Sequence, residues 1–391
     1  MAMNEDNAGG MVGSNKIIGL LVVCVVGLVA LTIFTFFDRF GTNRAISKAR
    51  DQGDKALVSG DSVRALIAYS HARDLRPSDP GLQKLVWQAR ARFLAENADR
   101  VTLENLEESR YELEILVDEE PKNATYLTAY AHVLERRGEN VEADKKLSEA
   151  VASDPKSVLA HLARAAFLQK TTNKVEAAVA EYNAVLGIDP NNFVAHYNLG
   201  RLAVVKKDSA KEIEELKKAT TIDPNNYAAH EALGDAYLHK GPDGMVDALK
   251  QYSAAASLQP TNPEPHWGLG MIMSQAGRWK EAEAELRMAM KGKRYPEMEF
   301  QLGLAIAHQE RCAEALPLFL QFIREEPGNA AAFMELGACS EKLGNKENAA
   351  AFYKKVLDMP PGEKEDPKNV AARNDKLKAK IASLGVPAKS K

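Results

Sequence analysis

Four histidines recur almost in step along the chain: His161, His196, His230 and His266, at intervals of 35, 34 and 36 residues. Imidazole is a common metal ligand, so such a ladder invites a metal reading. Coordination geometry argues against it. The nitrogen ligands of one zinc ion lie about 2.0–2.1 Å from it, whereas positions one helical repeat apart are separated by a helix-packing distance of about 8–10 Å. The ladder therefore reads as a recurring packing position. The three cysteines, Cys24, Cys312 and Cys339, are too few and too scattered for a disulfide framework or a zinc site, and read as small buried thiols. Nucleophilic, metalloprotease and phosphate-binding chemistry all lack their signatures, since no G-x-S-x-G, H-E-x-x-H or G-x-x-x-x-G-K-[ST] occurs. The expectation is a protein that is not an enzyme, with no cofactor, no metal and no small-molecule substrate.

The rest of the composition points to helices that present surfaces. Ala, Leu, Glu and Lys, all strong helix formers, dominate a chain of 391 residues that is 45% hydrophobic and only 7% aromatic. A net charge of −3, with signs alternating along helix faces, gives no electrostatic case for nucleic acid. The fold class expected is all-α.

Residues 17–37, IIGLLVVCVVGLVALTIFTFF, form a run without charge or proline, bracketed by Lys16 on one side and Asp38-Arg39 on the other. As a helix it would be about 31 Å long, which matches the hydrocarbon thickness of a bilayer. A cleaved signal peptide would have a shorter apolar core and a small-x-small cleavage site. Here the run ends in Phe-Phe-Asp-Arg-Phe. A lipoprotein signal at Cys24 lacks the small residue expected before it, because Val23 stands there. A retained transmembrane helix over 17–37 is expected, after a short tail (1–16) and before a juxtamembrane linker (38–44). Arg39, Arg44, Lys48, Arg50 and Lys55 follow the run, and the positive-inside rule then places the large C-terminal part in the cytoplasm. Short-tailed single-pass proteins that export their large domain are the competing arrangement. A bacterial inner membrane is the expected location.

From residue 45 the chain is self-similar at about 34 residues, as DPNNFVAHYNLG, DPNNYAAHEALG and QPTNPEPHWGLG show. Leu-Gly pairs fall at Leu199-Gly200, Leu233-Gly234, Leu269-Gly270, Leu302-Gly303 and Leu336-Gly337. Steps of Ala-x3-aromatic follow, as in Ala65/Tyr69, Ala178/Tyr182, Ala248/Tyr252, Ala315/Phe319 and Ala349/Tyr353. Prolines close the units at Pro77, Pro121, Pro155, Pro190, Pro224, Pro260, Pro327 and Pro361. Small residues let two antiparallel helices approach, aromatics fill the space between units, and proline stops each second helix. No unit buries its apolar face alone, so stability comes from stacking neighbours.

This pattern resembles the tetratricopeptide repeat. The resemblance covers residues 45–363 in about nine units and implies a superhelical solenoid of helix-turn-helix repeats. Residues 80–123 are irregular, with Leu113 and Leu116 where an aromatic and a small residue are expected; Glu212 also replaces a small residue, and Pro296 comes late. Residues 364–386 read as a polar capping helix and 387–391 as a disordered tail. The ladder histidines occupy the place where the family usually has tryptophan.

In this family the first helices line a concave face that takes extended peptides or helices. The resemblance then puts Tyr197, Arg201, Trp267, Met271, Phe300 and Leu304 on that face as candidate protein-binding residues, with an apolar strip toward the C-terminal end. The competing reading is that the strip packs against a neighbouring unit. The Lys–Asn clamp with which some members hold chaperone tails has no match at Thr128/His132, Leu162/Ala166 or Tyr197/Arg201. The function implied is a membrane-anchored scaffold or adaptor that assembles partner proteins, with a targeting receptor or holding chaperone for apolar client segments as the alternative.

Overall fold

The computed structural model describes residues 39–97, 101–170, 174–292, 294–361 and 366–385, together with positions 28, 31, 32 and 36. Apart from those four positions, the apolar run 17–37 lies outside the described residues, as do the tails 1–16 and 387–391. Among the described residues, no helix is long and apolar enough to cross a membrane.

The chain divides into two compact units, one ending at Ile188 and the next beginning at Asp189. In the first, α1 (39–58), α2 (Ser62–Leu75), α3 (Pro80–Asn97), α4 (Leu103–Glu119), α5 (Ala124–Arg136), α6 (Asn140–Ser153), α7 (Val158–Gln169) and α8 (Val175–Ile188) follow one another. The second holds α9 (Phe193–Val205), α10 (Ser209–Ile222), α11 (Tyr227–His239), α12 (Met245–Leu258), α13 (Pro263–Gln275) and α14 (Trp279–Ala289). It continues with α15 (Pro296–Ala307), α16 (Cys312–Glu325), α17 (Ala330–Lys342), α18 (Lys346–Asp358) and α19 (Pro367–Ser383). Consecutive helices pair into hairpins, α5 with α6, α7 with α8, and α9 with α10 through α17 with α18.

Local sequence sets where each hairpin begins and turns. The side chains of Asn123, Asn192, Asn226, Asn262 and Asn329 each accept a hydrogen bond from a backbone N–H of the first turn that follows, which satisfies a donor the helix itself cannot. Between the two helices of a hairpin, the residue just before the second helix's cap turns left-handed. Glycine fills that corner at Gly138, Gly277 and Gly344, but Lys207 (φ 54°) and Glu310 (φ 62°) take it with a side chain.

The core follows the repeat. Tyr252 of α12 lies between Gly234 of α11 and Gly268 of α13, and a methyl group on either glycine would come within 2.9 or 2.7 Å of its ring. The irregular hairpin has unusually long helices of 18 and 17 residues, α3 and α4, and buries Leu113 and Leu116. Glu212 of α10, in a small-residue position, is only 2% exposed and is held by Nδ1 of His239 on α11 at 3.0 Å. At the C-terminal end α19 packs on α18, burying Leu377 and Leu384 against the cluster that contains Tyr353 and Val356.

Candidate protein-binding face

The histidine ladder is a set of polar rivets. Each ring spans its own hairpin. His161 Nδ1 meets Glu181 at 2.6 Å, His196 meets Glu215 at 2.6 Å and His266 meets Glu285 at 2.6 Å, each carboxylate coming from the second helix. Nε2 of the same rings meets the carbonyl oxygen of the preceding turn's proline, Pro155, Pro190 or Pro260, at 3.0–3.1 Å. His230 repeats the arrangement with Gln251 at 2.8 Å and the Pro224 carbonyl at 3.0 Å. With both nitrogens engaged, no ring offers a lone pair to a metal, and among the described residues no group of three or more side chains is placed to hold one. A carboxylate and a carbonyl are both acceptors, so the three Glu-bonded rings need a hydrogen on each nitrogen or one on the carboxylate.

The six candidate residues, all in the second unit, lie one residue and then about one further turn beyond His196 and His266, and at the matching places Phe300 and Leu304 of α15. Tyr197 on α9 is half-buried, stacks on Phe193 at 5.8 Å, and has the exposed Arg201 guanidinium over its ring at 5.8 Å. Trp267 on α13 is half-buried and stacks on Tyr295 at 6.0 Å, and its buried indole Nε1 has no hydrogen-bond partner. Met271, one turn on, is 38% exposed. Phe300 on α15 is half-buried against α16, with ring centroids 5.0 Å from Phe322 and 5.8 Å from Phe319. Leu304 packs on the same core cluster. The strip is thus graded: Arg201 and Met271 open to solvent, Tyr197 and Trp267 intermediate, and Phe300 and Leu304 largely committed to the hairpin core.

Between Arg201 and Trp267 the same register holds carboxylates. Burial, followed by the charges of Asp235 and Glu264, pushes Glu231 up to about 7, while its hydrogen bond with Asn262 and the Arg201 charge oppose the rise. Asp235, on the same helix, is also raised, by burial first, although it accepts a hydrogen bond from the Tyr252 hydroxyl. The face therefore presents one arginine, then an acidic patch short of counter-charge, then apolar surface. Sequence reasoning passed over Glu231 and Asp235 as candidates. Their register was visible, but the mutual proximity of Glu231, Asp235 and Glu264 across α11 and α13 was not.

A sequence-family model for the tetratricopeptide repeat matches residues 131–193, 168–227 and 300–364. No curated protein matches the sequence. Among solved structures, the chain is similar to a MamA protein (21% identity over 51% of this chain and 98% of that one, TM-score 0.40). It is likewise similar to a tetratricopeptide repeat protein from Parabacteroides merdae (15%, 65% and 98%, TM-score 0.45) and to PilF from Pseudomonas aeruginosa (17%, 66% and 97%, TM-score 0.42). What the hairpin architecture and the family match share is the repeat itself: tetratricopeptide repeats are matched within 131–227 and 300–364, inside an all-helical array of hairpins.

Proposed function

We propose that the chain is a non-catalytic interaction scaffold, tethered to a membrane by residues 17–37, which gathers partner proteins on the first helices of its second unit. One observation supports the binding role most: on α11, in the register that carries Arg201 on α9 and Trp267 and Met271 on α13, Glu231 keeps a half-buried carboxyl that burial and the charges of Asp235 and Glu264 raise. Keeping a carboxyl such as that of Glu231 where burial disfavours its charge is costly for folding alone. The same arrangement suits a partner segment that offers a Lys or Arg next to apolar side chains, since a cation would neutralise the patch and the indole would give it an apolar wall. Tethering would raise the effective concentration of such partners at the bilayer. The uncharged, bilayer-length run supports a membrane location, which we take to be a bacterial inner membrane, and Arg39, Arg44, Lys48, Arg50 and Lys55 after it favour the cytoplasmic side for the repeats.

Affinity capture from native membranes tests this reading. A scaffold retains few partners in fixed stoichiometry, and Trp267→Ser should reduce their yield without loss of helicity. Many substoichiometric clients would instead indicate a holding chaperone. Release of the intact protein by carbonate washing would remove the tether.

A further inference from the structure

Cys312, the first residue of α16, and Cys339, in α17, are 27 positions apart in sequence and adjacent in the fold. They are 3% and 1% exposed, belong to one core cluster with Phe319 and Leu336, and their side chains are in hydrogen-bonding contact. Both line a small cavity of about 60 Å³ that is shared with His308 from the end of α15 and with Glu335 and Lys342 from α17. We propose that Cys312 and Cys339 are a dithiol pair that closes to a disulfide by exchange with a low-molecular-weight disulfide, stapling the fourth hairpin of the second unit to the fifth.

The chemistry balances without any further oxidant. One thiolate attacks a sulfur of R–S–S–R, which gives a protein mixed disulfide and expels one thiolate RS⁻. The second cysteine sulfur then attacks the protein-side sulfur, forms the internal S–S bond and expels the second RS⁻. The two thiol protons end on the two departing thiols, so the protein loses two electrons and two protons and the reagent becomes two RSH. A disulfide needs its two Cβ atoms close enough for the sulfurs to bond without backbone movement. Thiols in hydrogen-bonding contact across packed helices need only side-chain rotation to approach that geometry. With both thiols nearly buried and the cavity this small, the reagent reaches them as the local packing opens. Burial pushes the Cys339 thiol up, with Lys342 opposing, so exchange is slow and the reduced form persists until the disulfide pool turns oxidising. Closure would fix α17 against α16, and with it the C-terminal end of the first-helix face.

Full-length protein in a Cys24→Ser background, which excludes bonds through that residue, is incubated with oxidised glutathione under native conditions, alkylated and mapped by peptide mass spectrometry without reduction. The expected result is one linked peptide joining Cys312 to Cys339, both thiols protected from alkylation, and a melting temperature higher by about 5 °C that dithiothreitol reverses. Cys312→Ala and Cys339→Ala, each checked for retained helicity, should give neither the link nor the shift. Accumulation of a glutathione adduct on one cysteine without the internal bond would overturn the proposal. So would free alkylation of both thiols in the denatured, glutathione-treated protein.

Discussion

Replacing Glu231 by Gln isolates the cost of the acidic patch. Glu231 is raised from the ordinary carboxyl value of 4.5 to about 7 in the folded chain. Between those two values the folded state binds more protons than the unfolded state, so this group's contribution to stability declines as pH rises through the window. Above pH 7 the ionised side chain costs the fold about 3 kcal/mol if fully desolvated. Glu231 is only half-buried, and solvent screening reduces that to about 1–2 kcal/mol. Gln keeps the shape and can still accept from Asn262, but carries no charge. Glu231→Gln should therefore raise the melting temperature by about 3–6 °C at pH 8 and leave it nearly unchanged at pH 4, below both values, where the wild-type side chain is mostly protonated in the folded and the unfolded chain. Thermal melts followed by far-ultraviolet circular dichroism at the two pH values check this. An equal gain at both pH values, or a loss at pH 8, would refute the desolvated-carboxylate argument. If the patch binds a basic segment, the stabilised variant should also retain less partner in a pull-down, a trade of stability against function.

Other expectations concern the scaffold around the face. His196→Ala removes both bonds of a rivet and leaves the buried Glu215 with Lys218, at 3.3 Å, as its counter-charge among the described residues. Urea titration should show a loss of about 2–3 kcal/mol, and a change below about 0.5 kcal/mol would mean that the ladder is ornamental. Lys207→Gly relieves a left-handed corner and should stabilise the protein by about 1 kcal/mol in the same assay, whereas glycine at the right-handed Lys206 should not.

How much of this was legible in sequence depends on whether a feature is periodic. Hairpins announce themselves through spacing: Leu-Gly pairs, Ala-x3-aromatic steps and closing prolines recur at similar distances, because one local geometry recurs. The ladder histidines were visible for the same reason, and a packing role within each hairpin could be read from the repeat. Their partners could not, because Glu181, Glu215, Gln251 and Glu285 lie 19–21 residues away across a turn of variable length. The contact between Cys312 and Cys339 joins consecutive hairpins and has no periodic counterpart. On the candidate face, the register of the repeat placed Tyr197, Arg201, Trp267, Met271, Phe300 and Leu304 on the first helices. What register cannot say is how far each side chain leans into the core, and so Phe300, stacked on Phe322, looked as available as Met271.

The claim that partners engage the first-helix face of the second unit is tested most directly by photo-crosslinking in native membranes. A photoreactive amino acid is placed at Met271, which is 38% exposed on α13, and in parallel at Val246, which is 80% exposed on α12, a second helix of the same unit. The account predicts a discrete crosslinked partner from position 271 that is lost when Trp267 is changed to Ser, and none from position 246. Crosslinks to the same partner from Val246 but not from Met271 would place the binding surface on the second helices and contradict it.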